Sequence, residues 1–524
     1  MEPQHIIDEA TMSYQNKMDA LTSAGETEIQ SFYKDSILFL TGGSGFLGKQ
    51  LIEKLFRHSD IKKAYVLIRP KKGKTVQERL KEMLEDQVFQ MVRKKKPHFD
   101  SMVVAVEGDV SQLKLGLNDD DFNTIIHEVD IIFNMAATIR FDEKLKTAVL
   151  VNIRGTRETV ALGKACKNLR AFVHVSTAYC HATCARVGGE VREEFYETPV
   201  QPQTMIEMAE TVDEKRLDAI TDSLIKDWPN TYTFTKAIAE EIIRTETKDF
   251  CAVVVRPSIV LSTWHEPEPG WIDYSCMYGP SGFVLGAMLG IIHVIYVHST
   301  SKLSFVPVDI VNNITIAAGW DCYVNRAEIP RIFNISSTNC GVNFRKFVPM
   351  RSDEMRHMAS PKTVWYGFLI ETNNRFLYTI YSWFLHLIPA YIIDGAMNIF
   401  KIKKPKKLKS FVDIYSKVEK LSNVFSFFLT NEWNFDEKNL ASLSERMSQT
   451  DRQLYDFDIA SIDWNFYSLL WVLSLRKYVI KDGFKSSESG RRKQKIFKIA
   501  TYLILFIYLG VFWMIFSFIL KLFH

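Results

Sequence analysis

The sequence predicts an α/β protein: a doubly wound parallel sheet, followed by a mostly helical C-terminal domain and a C-terminal transmembrane helix. Three observations carry that prediction. Short apolar runs recur between stretches of helical periodicity, a glycine-rich turn joins the first run to the first such stretch, and a long uncharged segment lies near the C-terminus. Strands of a parallel sheet are covered on both faces, so they read as continuous apolar runs and not as alternating ones.

Ile37-Leu-Phe-Leu40 is the first such run, and Lys49-Gln-Leu-Ile-Glu-Lys-Leu-Phe56 carries apolar residues at helical spacing. Between them lies Thr41-Gly-Gly-Ser-Gly-Phe-Leu-Gly48. Gly42, Gly45 and Gly48 fall at a strand-to-helix turn, where missing side chains permit a tight bend. A pyrophosphate can then approach the amides at a positively polarised helix N-terminus. That reading makes the sheet Rossmann-type and the ligand a dinucleotide, held by Thr41, Gly42, Gly45, Phe46 and Gly48. The spacing is Gly-x-x-Gly-x-x-Gly, not G-x-G-x-x-G, and an ordinary glycine-rich turn is the alternative that the flanking strand and helix oppose.

Ala64-Tyr-Val-Leu-Ile68 reads as the second strand and ends at Arg69, with Lys71, Lys72 and Lys74 behind it. An NAD enzyme usually places Asp or Glu here for the ribose 2′-hydroxyl, whereas cations suit a 2′-phosphate, so NADPH is expected with Arg69 as its reader. For the lysines, a solvated basic loop is the other reading. Val103-Val-Ala-Val-Glu-Gly-Asp109 reads as the third strand, with Asp109 placed to touch the adenine. Asp130-Ile-Ile-Phe-Asn134 reads as the fourth, running into Met135-Ala136-Ala137, whose small residues let the chain pass close to the cofactor.

Ala171-Phe-Val-His-Val175 is the fifth expected strand. Ser176 and Thr177 follow at its C-terminal end, where ligands collect in open parallel sheets. Tyr232 and Lys236 stand one helical turn apart and share a face. An ammonium beside a phenol favours phenolate, and the same Lys can hydrogen-bond the nicotinamide ribose. Tyr232 can thus give a proton to a carbonyl oxygen that a Ser or Thr hydroxyl holds in place. The doublet leaves the register of that hydroxyl, Ser176 or Thr177, open by one.

With these residues in view, the fold resembles the extended short-chain dehydrogenase/reductases. The wording of Thr41 to Lys49, Asn134-Met-Ala-Ala-Thr-Ile-Arg-Phe141, His174-Val-Ser-Thr-Ala-Tyr179, Tyr232-Thr-Phe-Thr-Lys-Ala-Ile-Ala-Glu240, Arg256-Pro-Ser-Ile-Val260 and Pro269-Gly-Trp-Ile-Asp273 resembles fatty acyl-CoA reductase. The resemblance implies a triad of Thr177, Tyr232 and Lys236. It also implies reduction of long-chain fatty acyl-CoA to a primary fatty alcohol through an aldehyde, with release of coenzyme A and two NADPH per acyl-CoA. Two other readings share the cofactor residues: a membrane-bound short-chain dehydrogenase acting on a sterol or sugar nucleotide, and a non-catalytic nucleotide-sensing scaffold, whose mark would be a broken triad.

At 524 residues and 47% hydrophobic the chain holds more than one domain. The expected division is a polar N-terminal segment over 1–30, an NADPH-binding reductase domain over 31–350, a helical domain over 361–478, a basic linker over 479–498 with Ser486 to Gly490 as its flexible part, and a transmembrane helix over 499–520. Net charge is +4 (65 minus 61), so no nucleic-acid partner is expected. The positive charge is local, at Arg69 to Lys74, Arg93 to Lys96, Lys401 to Lys409 and Arg491 to Lys498, either as solvated faces or against coenzyme A phosphates and anionic lipid. Seven cysteines without C-x-x-C suit a reducing compartment. Cys180, Cys184, His174 and His181 are weighed as a metal cluster and set aside, because His174 alternates away from the others.

Residues through Thr27 lack a charged-then-apolar signal. Ile499 to Leu520 holds no charged residue, and about 22 residues at roughly 1.5 Å each reach ~33 Å, enough to cross a bilayer. The basic residues before it place the catalytic body in the cytosol, on the endoplasmic reticulum or a peroxisomal membrane. Phe376 to Ile393 is read as buried or interfacial, and Phe283 to Val297 as core or as lining for an acyl tunnel. The oligomeric state is left open, a homodimer among the options.

Overall fold

The computed structural model describes residues 3–23, 25–71, 73–347, 359–401, 410–484 and 487–523. Lys72, the basic run after Lys401, Ser486 and the end of the expected reductase domain lie outside them. At the centre is a sheet of seven parallel strands: β1 (Ile37–Thr41), β2 (Lys63–Ile68), β3 (Val103–Glu107), β4 (Ile131–Asn134), β5 (Ala171–Val175), β6 (Ala252–Pro257) and β7 (Arg331–Ile335). Their order is β7-β6-β5-β4-β1-β2-β3. The order reverses between β1 and β4, the kind of switch point where ligands bind beyond the strands' C-terminal ends.

Alternation along each strand sends side chains to two cores. Leu38, Leu40, Val66, Phe133, Val173 and Val255 point into one; Ile37, Phe39, Leu67, Ile132, Phe172 and Val254 point into the other. Each such burial is worth about 1.5–3 kcal/mol, which is why both faces must be covered. Around the sheet lie α1 (Pro3–Ser23), α2 (Phe46–His58), α3 (Thr231–Glu246) and α4 (Val308–Val324). On the first face, Asn312 of α4 donates to the Leu47 carbonyl at 2.9 Å and to Gln50 at 2.7 Å on α2. On the second, Phe234, Ile238 and Ile242 of α3 fill the core and leave Tyr232 and Lys236 toward the strand ends.

The C-terminal region continues this body. It contains α5 (Arg375–Ile399), α6 (Phe411–Thr430), α7 (Trp464–Ser474) and α8 (Ser487–Phe523). Tyr467 and Trp471 of α7 belong to the same core as Leu38 and Leu40 of β1. Fully buried Lys54 of α2 pairs with Glu266 and donates to the Leu454 carbonyl at 2.8 Å, tying the glycine-turn helix to the C-terminal region.

Two expectations change and a third narrows. The polar N-terminal segment is largely the helix α1, because Ile7, Tyr14 and Met18 recur on one face; Ile7 and Met18 are buried, and Tyr14 stacks on His265 at 4.2 Å. Residues 487–498 of the expected linker are the first turns of α8. A Cβ on Gly490 would collide with the Ala359 carbonyl, Gln494 accepts from the Gly367 N–H at 3.2 Å, and Phe497 stacks on Trp365 at 5.2 Å. Of the two readings of Phe376 to Ile393, buried or interfacial, the exposure of Phe376, Trp383, Tyr391 and Ile392 opposes the buried one and leaves the interfacial one, with only 17% of the apolar window buried. Both α5 and α8 are long and apolar enough to cross a membrane, and none of the described residues in the α8 window is buried. Phe283, Val284 and Ala287 are core.

Candidate active site

The site grows from the C-terminal ends of β1, β4 and β5. Register places Thr41 beside Asn134, and Asn134 beside His174. Thr41 Oγ1 donates to Asn134 Oδ1 at 2.8 Å and accepts from the N–H groups of Met135 and Ala136 at 3.1 and 3.2 Å. These bonds pull the chain after β4 against the glycine turn. Gly42 has φ +73°, and a Cβ there would lie 2.7 Å from the Ala136 nitrogen. At Gly48 a Cβ would lie 2.5 Å from the Gly42 carbonyl oxygen. Gly45 is the N-cap of α2, whose first N–H groups lack intrahelical partners. Backbone amides at a helix N-terminus, kept approachable by glycine, fit a pyrophosphate.

Behind this turn, Phe46 stacks on Trp271 at 5.2 Å, and Lys49 bridges Asp86 at 2.8 Å and Asp273 at 2.6 Å. Arg69 and Asp109 meet beyond the ends of β2 and β3, with Arg69 Nη1 3.9 Å from Asp109 Oδ2. Arg69 is 64% exposed, so the pair is weak and the guanidinium is available to an anion. Asp109 is held by the Ser111 N–H at 2.9 Å and hydroxyl at 2.8 Å.

Asn230 caps α3 by accepting from the Thr233 N–H at 2.9 Å, and that cap sets the first turn carrying Tyr232 and Lys236. Thr177 is a polar neighbour that lowers the Tyr232 phenol, and its Oγ1 donates to the Pro257 carbonyl at 3.3 Å, while Ser176 Oγ is buried without a hydrogen-bond partner near Cys180. Burial pushes the Tyr232 phenol above its ordinary range and Thr177 partly offsets this. Lys236 Nζ donates to the Val175 carbonyl at 2.6 Å. Burial lowers the Lys236 ammonium to about 8, against the pull of Glu240. His174, beside Asn134 at 3.1 Å, is held neutral by burial.

Sequence reasoning missed the next turn of the same face. Glu240 takes a bidentate contact from Arg256 at 2.6 and 2.9 Å, both side chains fully buried. Cys180 donates to Glu240 at 3.2 Å and His181 lies 3.7 Å away. Cys180, His181 and Glu240 are close enough to hold an ion. Arg256 already neutralises that carboxylate, and burial raises the Cys180 thiol far from its thiolate form. The i, i+4, i+8 spacing of Tyr232, Lys236 and Glu240 was the available signal. Cys184 is exposed and lies outside this cluster.

An NAD-binding family model described as "Male sterility protein" matches residues 40–315, and a second of the same description matches residues 385–482. The chain is 36% identical over 478 residues to "Fatty acyl-CoA reductase wat" of Drosophila melanogaster, covering 91% of this chain and 90% of the relative. The chain belongs to the fatty acyl-CoA reductase family. It is also 30% identical to human "Fatty acyl-CoA reductase 2", with 89% of each chain covered. Among solved structures, the terminal R domain of the myxalamid biosynthetic pathway shares the fold, with TM-score 0.53, 19% identity, and coverage of 88% of this chain and 93% of that one. The sheet of this fatty acyl-CoA reductase family member is accordingly an NAD(P)-binding Rossmann domain.

Proposed function

We propose that the protein reduces a long-chain fatty acyl-CoA to a primary alcohol through a bound aldehyde, with NADPH as reductant and two NADPH consumed per acyl-CoA. The observation that carries this reading is the placing of Thr177 just past the end of β5, whose Val175 carbonyl accepts from buried Lys236 at 2.6 Å, with Tyr232 one turn before that lysine on α3.

When bound, the dinucleotide supplies hydride to the acyl carbon. Thr41, Gly42, Gly45, Phe46, Gly48 and Ala136 would cradle its phosphates, Asp109 would meet the adenosine end and Arg69 the 2′-phosphate. Thr177 orients the carbonyl oxygen and Tyr232 donates to it, stabilising the oxyanion that forms. A phenol whose pKa is raised keeps its proton until charge develops, which suits a general acid. In the first round the oxygen that Tyr232 holds re-forms its C=O bond and returns any proton to the phenol as the C–S bond breaks, and coenzyme A leaves as thiolate that takes a proton from solvent; in the second, the aldehyde oxygen takes the Tyr232 proton and becomes the alcohol. Lys236 positions the ribose and restores the proton. Glu240, neutralised by Arg256, fixes the back of α3 and acts as a positioning residue.

Residues 31–350 do the chemistry in this reading, residues 361–478 complete the lipid side, and α8 anchors the body to a cytosolic membrane face of the endoplasmic reticulum or peroxisome. A sterol or sugar-nucleotide dehydrogenase would share the cradle. Purified protein in detergent, given NADPH with a long-chain acyl-CoA or with a sterol or sugar nucleotide, separates the two: alcohol from the acyl-CoA supports this reading, and turnover of the sterol or sugar nucleotide alone removes it.

A further inference from the structure

The half-buried ring of Phe141 lies against Tyr232, at 5.8 Å between centroids and 22° between planes. On its other side it meets two rings of α6, Phe425 at 5.0 Å and Phe428 at 5.3 Å. Phe425 in turn meets Phe283 at 6.0 Å. Phe428 is seated in a small core with Tyr179, Trp433 and Phe435, while Phe425 leans on the main core. The end of α6 therefore bridges two packed clusters and presents an apolar aromatic face beside the proton donor. The other end of α6 meets α5, where Tyr415 stacks on His386 at 4.7 Å. Outward from there, α5 exposes Phe376, Tyr391, Ile392 and Ile399, and it touches α8 through Phe384 and Tyr508 at 5.9 Å.

Rings of this kind offer dispersion and area but no charge. They suit a hydrocarbon chain and not the phosphates of coenzyme A. Continuity from exposed α5, which touches the apolar α8, through α6 to Tyr232 gives the chain a direction. We propose that Phe141 and Phe425, backed by Phe428 and Phe283, form the wall against which the acyl chain lies, and that the chain enters along α6 from a bilayer on which α5 rests. This deepens the functional reading above and rests on it. The wall sets acyl length, because a methylene that gains or loses cover there changes relative kcat/KM by about fourfold.

The test is the ratio of kcat/KM across a series of saturated acyl-CoAs in detergent, for the wild type, Phe425→Leu, Phe425→Trp and Phe283→Leu, with NADPH affinity measured for each. Leucine at either position is expected to move the optimum toward longer chains and tryptophan toward shorter ones, with NADPH affinity unchanged. The conservative leucine variants guard against misfolding, and an intact NADPH affinity certifies the fold. An active wild type whose length profile is the same in all three variants overturns the wall while leaving the reductase reading standing. A wild type inactive on every acyl-CoA overturns both.

Discussion

The two ends of the site are built by different physics. At the cofactor end, positions are fixed by what the backbone cannot tolerate: a Cβ at Gly42 or Gly48 would sit 2.7 or 2.5 Å from main-chain atoms. At the lipid end, Phe141, Phe425 and Phe428 meet at 5.0 to 5.3 Å through interchangeable apolar surface. The first kind of constraint is local and permits few residues. The second is collective and permits many. The cofactor end should therefore respond to single atoms and the lipid end to volume.

The sharpest break in that comparison comes from Tyr232→Phe, which removes one oxygen. Turnover of acyl-CoA should fall by about 10²-fold or more while NADPH still binds. Near-normal turnover in the purified variant would take Tyr232 out of the mechanism and weaken the claim that single atoms rule this end.

Arg69→Ala comes next in size. Losing a charge-assisted contact to the 2′-phosphate should weaken NADPH by ~1.5–3 kcal/mol and leave NADH nearly untouched. Equal losses for the two cofactors, measured by fluorescence titration, would make Arg69 a structural residue.

How far this was legible follows the same division. The glycine turn, the five expected strands and the placing of Tyr232 and Lys236 one turn apart on a helix were readable because each is a local pattern. The Glu240–Arg256 pair was not, since helix and strand meet only once the sheet has assembled. Ser176 and Thr177 differ only by which way the backbone turns after Val175, which no local pattern fixes. Around α5, an apolar stretch reads alike whether protein or lipid covers it, and only the exposure of Phe376 and Ile392 separates the cases. Sparse apolar residues hid α1, and serine and glycine hid the start of α8.

A smaller effect concerns pH. Lys236 is lowered to about 8 in the folded protein, below the ~10.4 of an unfolded lysine. Its burial therefore costs stability at neutral pH, and that cost is relieved as pH rises from about 8 toward the unfolded value. Activity should move the other way, declining as the ammonium that holds the ribose loses its proton near 8. In Lys236→Arg the residual activity should lack this alkaline decline, because arginine stays charged; a decline at the same pH would assign it to another group.

In the proposed mechanism one site reduces the thioester twice. The most direct measurement is a stoichiometry: purified protein with limiting long-chain acyl-CoA and excess NADPH, following NADPH oxidised, thiol released and alcohol formed in one sample. Two NADPH oxidised and one thiol released for each alcohol are expected, with little free aldehyde in solution. One NADPH per thiol with aldehyde as the accumulating product would contradict it.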